Sequence, residues 1–143
     1  PSPAALRALA DPALDAVVIC PSNPFISIDP ILAVPGLRAA IKAAPAPVIA
    51  VSPIVGGRAI KGPTAKMMAE LGITQSAASV ARHYQELIDG FVLDSEDEAT
   101  GNEIRDLGLK VLVTNTVMQS LEDRVSLAAD VLEFATVLRS KSK

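Results

Sequence analysis

Four short, unbroken apolar runs, each closed by a cluster of Pro, Gly, Ser, Asn, Asp or Thr, constrain this chain more than any other feature. Residues 15–20 (DAVVIC) lead into Pro21-Ser22-Asn23-Pro24, and residues 47–52 (PVIAVS) into Pro53 and Gly56-Gly57. Residues 88–94 (IDGFVLD) lead into Ser95-Glu96-Asp97, and residues 109–114 (LKVLVT) into Asn115-Thr116. Runs of this length, with β-branched residues and no polar alternation, suit strands buried on both faces. The stretches between them read as helices. Residues 28–44 are interrupted by Pro30 and Pro35, which predicts a short helical turn and then a helix from near Pro35. Gly62-Pro63-Thr64 opens a helix that Gly72 ends, and residues 76–87 form another. Ser95 and Glu98 make a capping-box pattern for a helix to about Leu107, stopped by Gly108. Ser120 with Asp123 caps the last helix, in which Leu121, Val125, Ala128, Leu132 and Ala135 fall on one face. Strands that alternate with helices need crossover connections. The expected fold is therefore α/β, a parallel sheet with helices on both faces in a Rossmann-like three-layer sandwich, with residues 1–143 as a single domain.

Composition narrows the function classes. Half of the 143 residues are apolar and a fifth are charged, which suits a packed core and not a disordered chain. A formal charge of -3, no Trp, one Tyr and three Phe supply neither a basic footprint nor stacking platforms, so no nucleic-acid partner is expected. A single Cys excludes an internal disulfide framework and suits a reducing cytoplasm, the expected location. With one Cys and one His, the usual zinc ligand sets cannot be assembled. No apolar run approaches the ~20 residues of a membrane span, and no signal-peptide pattern opens the chain, so no membrane partner is expected. The first residue is Pro rather than Met, and the chain reads as a piece of something longer.

Parallel strands deliver their carboxyl-terminal loops to one edge of a sheet, where ligands of open α/β sheets bind. Pro21-Ser22-Asn23-Pro24 holds a hydroxyl and a carboxamide between two prolines, and serves either to bond a ligand or to form an Asx-type turn. Gly56-Gly57, with Arg58, Lys61, Gly62, Pro63 and Thr64 behind it, offers backbone amides, two cations and a helix start to an anion. It is neither a Walker loop nor a dinucleotide fingerprint, and a glycine turn with solvated cations explains it equally. Asp94, Glu96, Asp97 and Glu98 invite a magnesium assignment, but acids belong in a first helical turn on structural grounds. His83, with no obvious Asp or Ser partner, reads as a packing or surface residue; Cys20 reads as a small apolar strand residue, and Met67-Met68 as helix packing.

The loops also carry a resemblance. Residues 20–32 (CPSNPFISIDPIL) with Val34-Pro35-Gly36, residues 52–57 (SPIVGG), residues 61–68 (KGPTAKMM), residues 87–92 (LIDGFV) and residues 114–118 (TNTVM) are similar, in this order, to the 2-phospho-L-lactate transferase (CofD) family. The match runs from about Asp15 to Leu132. The resemblance implies a transferase of deazaflavin coenzyme biosynthesis. Such an enzyme passes the phospho-acid portion of a guanylylated three-carbon acid, lactyl or enolpyruvyl in type, to the ribityl hydroxyl of the deazaflavin precursor Fo and releases GMP. It further implies magnesium assistance and a homodimer. The site residues it suggests are Ser22 and Asn23 for polar groups of nucleotide or deazaflavin, Gly56, Gly57, Lys61 and Thr64 for phosphate or carboxylate, and Ser52 for nucleotide or substrate binding without a finer role; the catalytic residues stay unassigned.

Members of that family begin with a glycine-rich nucleotide loop and acidic residues associated with magnesium. Neither stands in this chain, which therefore resembles the C-terminal half of such a protein, with no metal ligands assigned within it and no turnover expected of it alone. The alternative is a non-enzymatic nucleotide or nucleotide-sugar binding module of the YvcK type. The Ser52-Pro53-Ile54-Val55-Gly56-Gly57 loop favours the transferase side. A third reading is a half-domain whose only role is to complete a fold or a dimer.

Overall fold

The computed structural model describes residues 1–59 and 63–140. Four parallel strands, β1 (Val17–Ile19), β2 (Val48–Val51), β5 (Gly90–Asp94) and β6 (Lys110–Thr114), pair in the order β1-β2-β5-β6. A second sheet is the small antiparallel hairpin of β3 (Ile54–Val55) and β4 (Arg58–Ala59), whose turn is Gly56-Gly57 at φ 58° and 69°. Only glycine enters that left-handed region without strain, so the pair specifies a tight hairpin after β2. The α/β class with helices on both faces holds. The first strand differs from expectation: β1 lies at the sheet edge, its Val18 is 38% exposed, and Cys20 is exposed beyond its end. Strand pairing order, which no local pattern encodes, places it there.

The connections explain how the core is divided. After β1 a five-residue π-helical turn (Pro24–Ile28) runs into α2 (Asp29–Leu32) and α3 (Leu37–Lys42), the latter entered through Gly36 at φ 84°. The hairpin leads to α4 (Thr64–Glu70) and α5 (Ala77–Tyr84), and β5 leads through a 3-10 turn (Ser95–Thr100) to α6 (Gly101–Asp106). The larger core cluster joins Ile19, Val48, Ala50, Phe91 and Leu93 of the sheet to Leu32, Ile41, Met68, Val80, Tyr84 and Ile104, so these crossovers all cover one face. On the opposite face α7 (Leu121–Ser140) packs Leu127, Val131, Phe134, Ala135 and Leu138 against Ile49, Val51 and Val92. The helix α1 (Pro3–Leu9) precedes the sheet and buries no residue.

The apolar face expected for the last helix is corrected. Of Leu121, Val125, Ala128, Leu132 and Ala135 only Ala135 is buried; Leu121 is 72% exposed and Val125 61%. The helix carries two apolar stripes, and helical periodicity does not say which one meets the sheet. Gly90 decides the approach, because a Cβ there would lie 2.6 Å from Phe134 Cε1 and 2.9 Å from Leu138 Cδ1. The helix opening after β5 is also revised. Asp94, not Ser95, is its cap, accepting from the Glu96 N–H at 3.0 Å, and the first six residues wind as a 3-10 turn. The Ser120–Asp123 cap of α7 is present in both directions, with Asp123 N–H donating to Ser120 Oγ at 3.1 Å and Ser120 N–H to Asp123 Oδ2 at 2.8 Å.

His83 is not alone. Its Nε2 lies 2.9 Å from Asp29 Oδ1, and its ring meets Phe25 edge-on at 5.4 Å, so α5 clamps the π-helical turn that follows β1. A partner 54 residues away in sequence is invisible to local reading. Next to it the Tyr84 hydroxyl is buried with no hydrogen-bond partner among the described residues, and burial, followed by the charge of Asp29, pushes its pKa upward.

Two stability changes follow from these contacts. Gly90→Ala should lower the unfolding free energy by about 1–3 kcal/mol through overpacking against Phe134 and Leu138, read by urea denaturation. Tyr84→Phe removes an orphaned hydroxyl and should be neutral or stabilising by up to about 1 kcal/mol. A loss above ~1 kcal/mol would show that the hydroxyl has a partner after all.

Candidate functional site

The strand ends meet as the topology requires, and a cleft of about 880 Å³ opens above them. Its lining draws on four segments: Pro21, Ser22, Asn23, Ile26 and Ser27 after β1; Ser52 and Pro53 after β2; Pro63 and Thr64 at the start of α4; and residues 116–119 with Arg124 after β6. Four of the residues singled out from sequence, Ser22, Asn23, Ser52 and Thr64, therefore share one wall-to-wall space. Gly56 and Gly57 do not line it, and Lys61 lies outside the described residues.

Several of these polar groups have internal duties. Asn23 Oδ1 accepts the N–H groups of Phe25 at 2.9 Å and Ile26 at 3.2 Å, capping the π-helical turn, while its Nδ2 donates to Met67 Sδ at 3.5 Å. The Asx-type geometry and a place in the cleft wall thus occur in one residue. Ser52 Oγ accepts from Ile54 N–H at 3.1 Å and donates to the Ile54 carbonyl at 3.0 Å, holding the turn between β2 and the hairpin. Ser22 is half-buried and Thr64 is buried at the foot of α4.

The glycine turn holds an anion, but the anion is the protein's own. Gly56 N–H and Gly57 N–H each donate to the Asp97 carboxylate at 2.9 Å, and a Cβ at Gly56 would come 2.5 Å from Glu96 Oε2. An external phosphate would have to displace Asp97 to reach these amides. The acidic run after β5 is thereby explained as scaffolding. Asp94, 3% exposed, accepts the Thr116 N–H at 2.7 Å and the Thr116 hydroxyl at 2.9 Å, so it pins the loop after β6 to the end of β5. Burial pushes the Asp94 carboxyl up, but the hydrogen bonds from Glu96, Thr116 and Ser95 outweigh it and hold the group below the usual carboxylate range.

Among the described residues no three His, Cys, Asp or Glu side chains come together as a metal site. Asp94 and Asp97 are committed to backbone and hydroxyl donors, so this donor set does not fit magnesium. Sequence reasoning placed residues 114–116 on the rim and 114–118 among the family motifs without assigning Thr116, Val117 or Met118 to the site, and it passed over Gln119 and Arg124. The signal available for Arg124 was a cation in the first turn of a helix, where the helix dipole favours acids.

A depressed carboxyl pKa in the folded state contributes stability that is present above the unfolded value and lost as pH falls through the folded value. Asp94 should therefore support acid stability that disappears below about pH 4. Asp94→Asn should cost about 1–3 kcal/mol at pH 7 and flatten the stability profile below about pH 4. Urea melts of both proteins across that range would check it; parallel profiles would show that Asp94 is not the pinning charge.

Comparison with other proteins gives this geometry a lineage. The sequence profile described as 2-phospho-L-lactate transferase CofD matches residues 1–132. A phosphoenolpyruvate transferase of Streptomyces griseus is 38% identical over 141 residues, covering 98% of this chain and 44% of the relative. A 2-phospho-L-lactate transferase of Methanocaldococcus jannaschii is 40% identical over 120 residues, covering 84% and 37%. One of Methanosarcina acetivorans is 42% identical over 114 residues, covering 80% and 36%. The chain spans less than half the length of these relatives, and by the extent of its match it belongs to the 2-phospho-L-lactate transferase CofD family.

Proposed function

We propose that this chain forms part of a transferase that moves a 2-phospholactyl or phosphoenolpyruvyl group from a guanylylated donor to the deazaflavin precursor Fo. One observation carries the reading: the loops after β1 and β2 and the start of α4, which hold the family motifs, converge on a single cleft at the carboxyl rim of the sheet. In the transfer, a ribityl hydroxyl oxygen of Fo forms a bond to the donor phosphorus. The anhydride bond to GMP breaks, and the hydroxyl proton is released as GMP departs. Such chemistry rests on positioning and charge neutralisation rather than on a covalent protein intermediate. The cleft's contribution is to hold the reactants. Ser22 and Asn23 present polar groups on a turn stiffened by two prolines, and Thr64 presents a hydroxyl at the start of α4. Lys61, a cation of the same motif, is proposed to meet the donor's phosphate or carboxylate.

The homodimer, GDP recognition and a cytoplasmic location belong to the same proposal, as does magnesium, with its ligands supplied from outside this chain. Among the described residues no helix is long and apolar enough to cross a membrane. The test is a fluorescence titration of Fo into the purified chain with and without GDP and magnesium. Saturable Fo binding, strengthened by GDP and weakened at least several-fold in the GDP arm by Lys61→Ala, is the expected result. No Fo binding under any condition would overturn the assignment of substrate contacts to this part of the family's chain.

A further inference from the structure

We propose that Arg124 makes the cleft an oxyanion site, its guanidinium taking the phosphoryl or carboxylate group of the ligand that lies across the loops after β1 and β6. The inference rests on the transferase reading for the identity of the ligand, and on the structure of this chain for the position of the charge. Arg124 is the one charged side chain among the described residues lining the cleft, and no acidic side chain shares that lining. Two carboxylates of the neighbouring loops are engaged by other donors: Asp94 accepts from Thr116, and Asp123 accepts the N–H groups of Gln119 and Ser120 at 2.9 and 2.8 Å. Within the lining, therefore, the Arg124 guanidinium shares the cleft wall with no carboxylate.

Arg124 also has no fold duty that would explain it. Among the described residues it makes no ion pair or hydrogen bond, whereas Arg82 pairs with Glu103 at 2.9 Å and Arg139 bonds the carbonyls of Leu14 and Asp15. Its position in the first turn of α7 opposes the helix dipole, so helix stability does not call for a cation there. What does hold its place is the reciprocal Ser120–Asp123 cap immediately before it, which fixes the start of α7, and the Asp94–Thr116 pair, which fixes the loop leading in. An arginine carried on that base in the cleft wall presents a planar fork of donors to a two-oxygen anion, a geometry that lysine does not reproduce.

The test is calorimetric titration of the full chain and its R124Q and R124K variants with GDP, phosphoenolpyruvate and lactate, beside the Fo titration. Because Arg124 makes no ion pair or hydrogen bond among the described residues, both variants should keep the parent melting temperature. Expected is a loss of about tenfold or more in affinity for the anionic probes in R124Q, partial recovery in R124K, and unchanged Fo binding. Loss confined to GDP and phosphoenolpyruvate assigns Arg124 to a phosphoryl group; loss that includes lactate assigns it to the carboxylate. Equal anion affinity in parent and R124Q overturns the inference and leaves the transferase reading intact. Arg124-dependent anion binding without any Fo binding keeps the oxyanion site and overturns the assignment of Fo contacts to this part of the family's chain. A parent chain that takes no anionic probe overturns the site.

Discussion

Asp94 stands at the carboxyl end of β5, and the shape of the cleft depends on its buried carboxylate. One oxygen receives both the backbone and the hydroxyl of Thr116; the other receives the N–H of Glu96. A carboxylate so far from water is tolerated because every close neighbour donates to it, and breaking that set would leave a costly unpaired charge. Through these bonds the last residue of one strand sets the path of the loop after the next, and hence the start of α7. Three residues on, Asp97 repeats the device on the other side by holding the Gly56-Gly57 hairpin. Two acids that look like metal ligands in sequence are thus the braces of the rim.

The sheet's two faces are served unequally. The pairing order β1-β2-β5-β6 advances in one direction, and crossovers of one hand then all fall on one face. That face holds the larger core, while the other receives, among the described helices, α7 alone. The helix reaches β2 and β5 but leaves Val18 of β1 and its own Leu121, Val125 and Leu132 exposed. Arg139 fastens its far end to the loop before β1, and Gly90 lets its C-terminal third, at Phe134 and Leu138, sit close to the sheet. The site end of α7 is consequently fixed by both its cap and its packing.

Much of this architecture was legible in the chain. The four apolar runs became the four strands of the parallel sheet, Gly72 and Gly108 end helices at positive φ, and the Ser120–Asp123 cap formed as its spacing predicts. Four candidate site residues, Ser22, Asn23, Ser52 and Thr64, line one cleft because parallel strands deliver their ends to one rim. The rest needed contacts distant in sequence. Asp29 meets His83 across 54 residues, and Asp97 meets Gly57 across 40; neither pairing leaves a periodic or local trace. The orientation of α7 was misread for a related reason, since two apolar stripes on one helix are equivalent until a sheet selects between them.

By itself, then, the sequence determined what is local or periodic: strand and helix placement, turn chemistry, caps, and the family motifs at the strand ends. Those follow from backbone sterics and from hydrogen bonds within a few residues, which each segment carries wherever it lies. The tertiary structure decided which strand became the edge, which stripe of α7 was buried, and whether each polar loop residue faces a ligand or another part of the protein. Such choices are settled by strand order and by burial, quantities that exist only once the segments are packed together. Gly56 and Gly57 mark the boundary between the two: their amides were fit for an anion from the sequence onward, and only the fold made that anion Asp97.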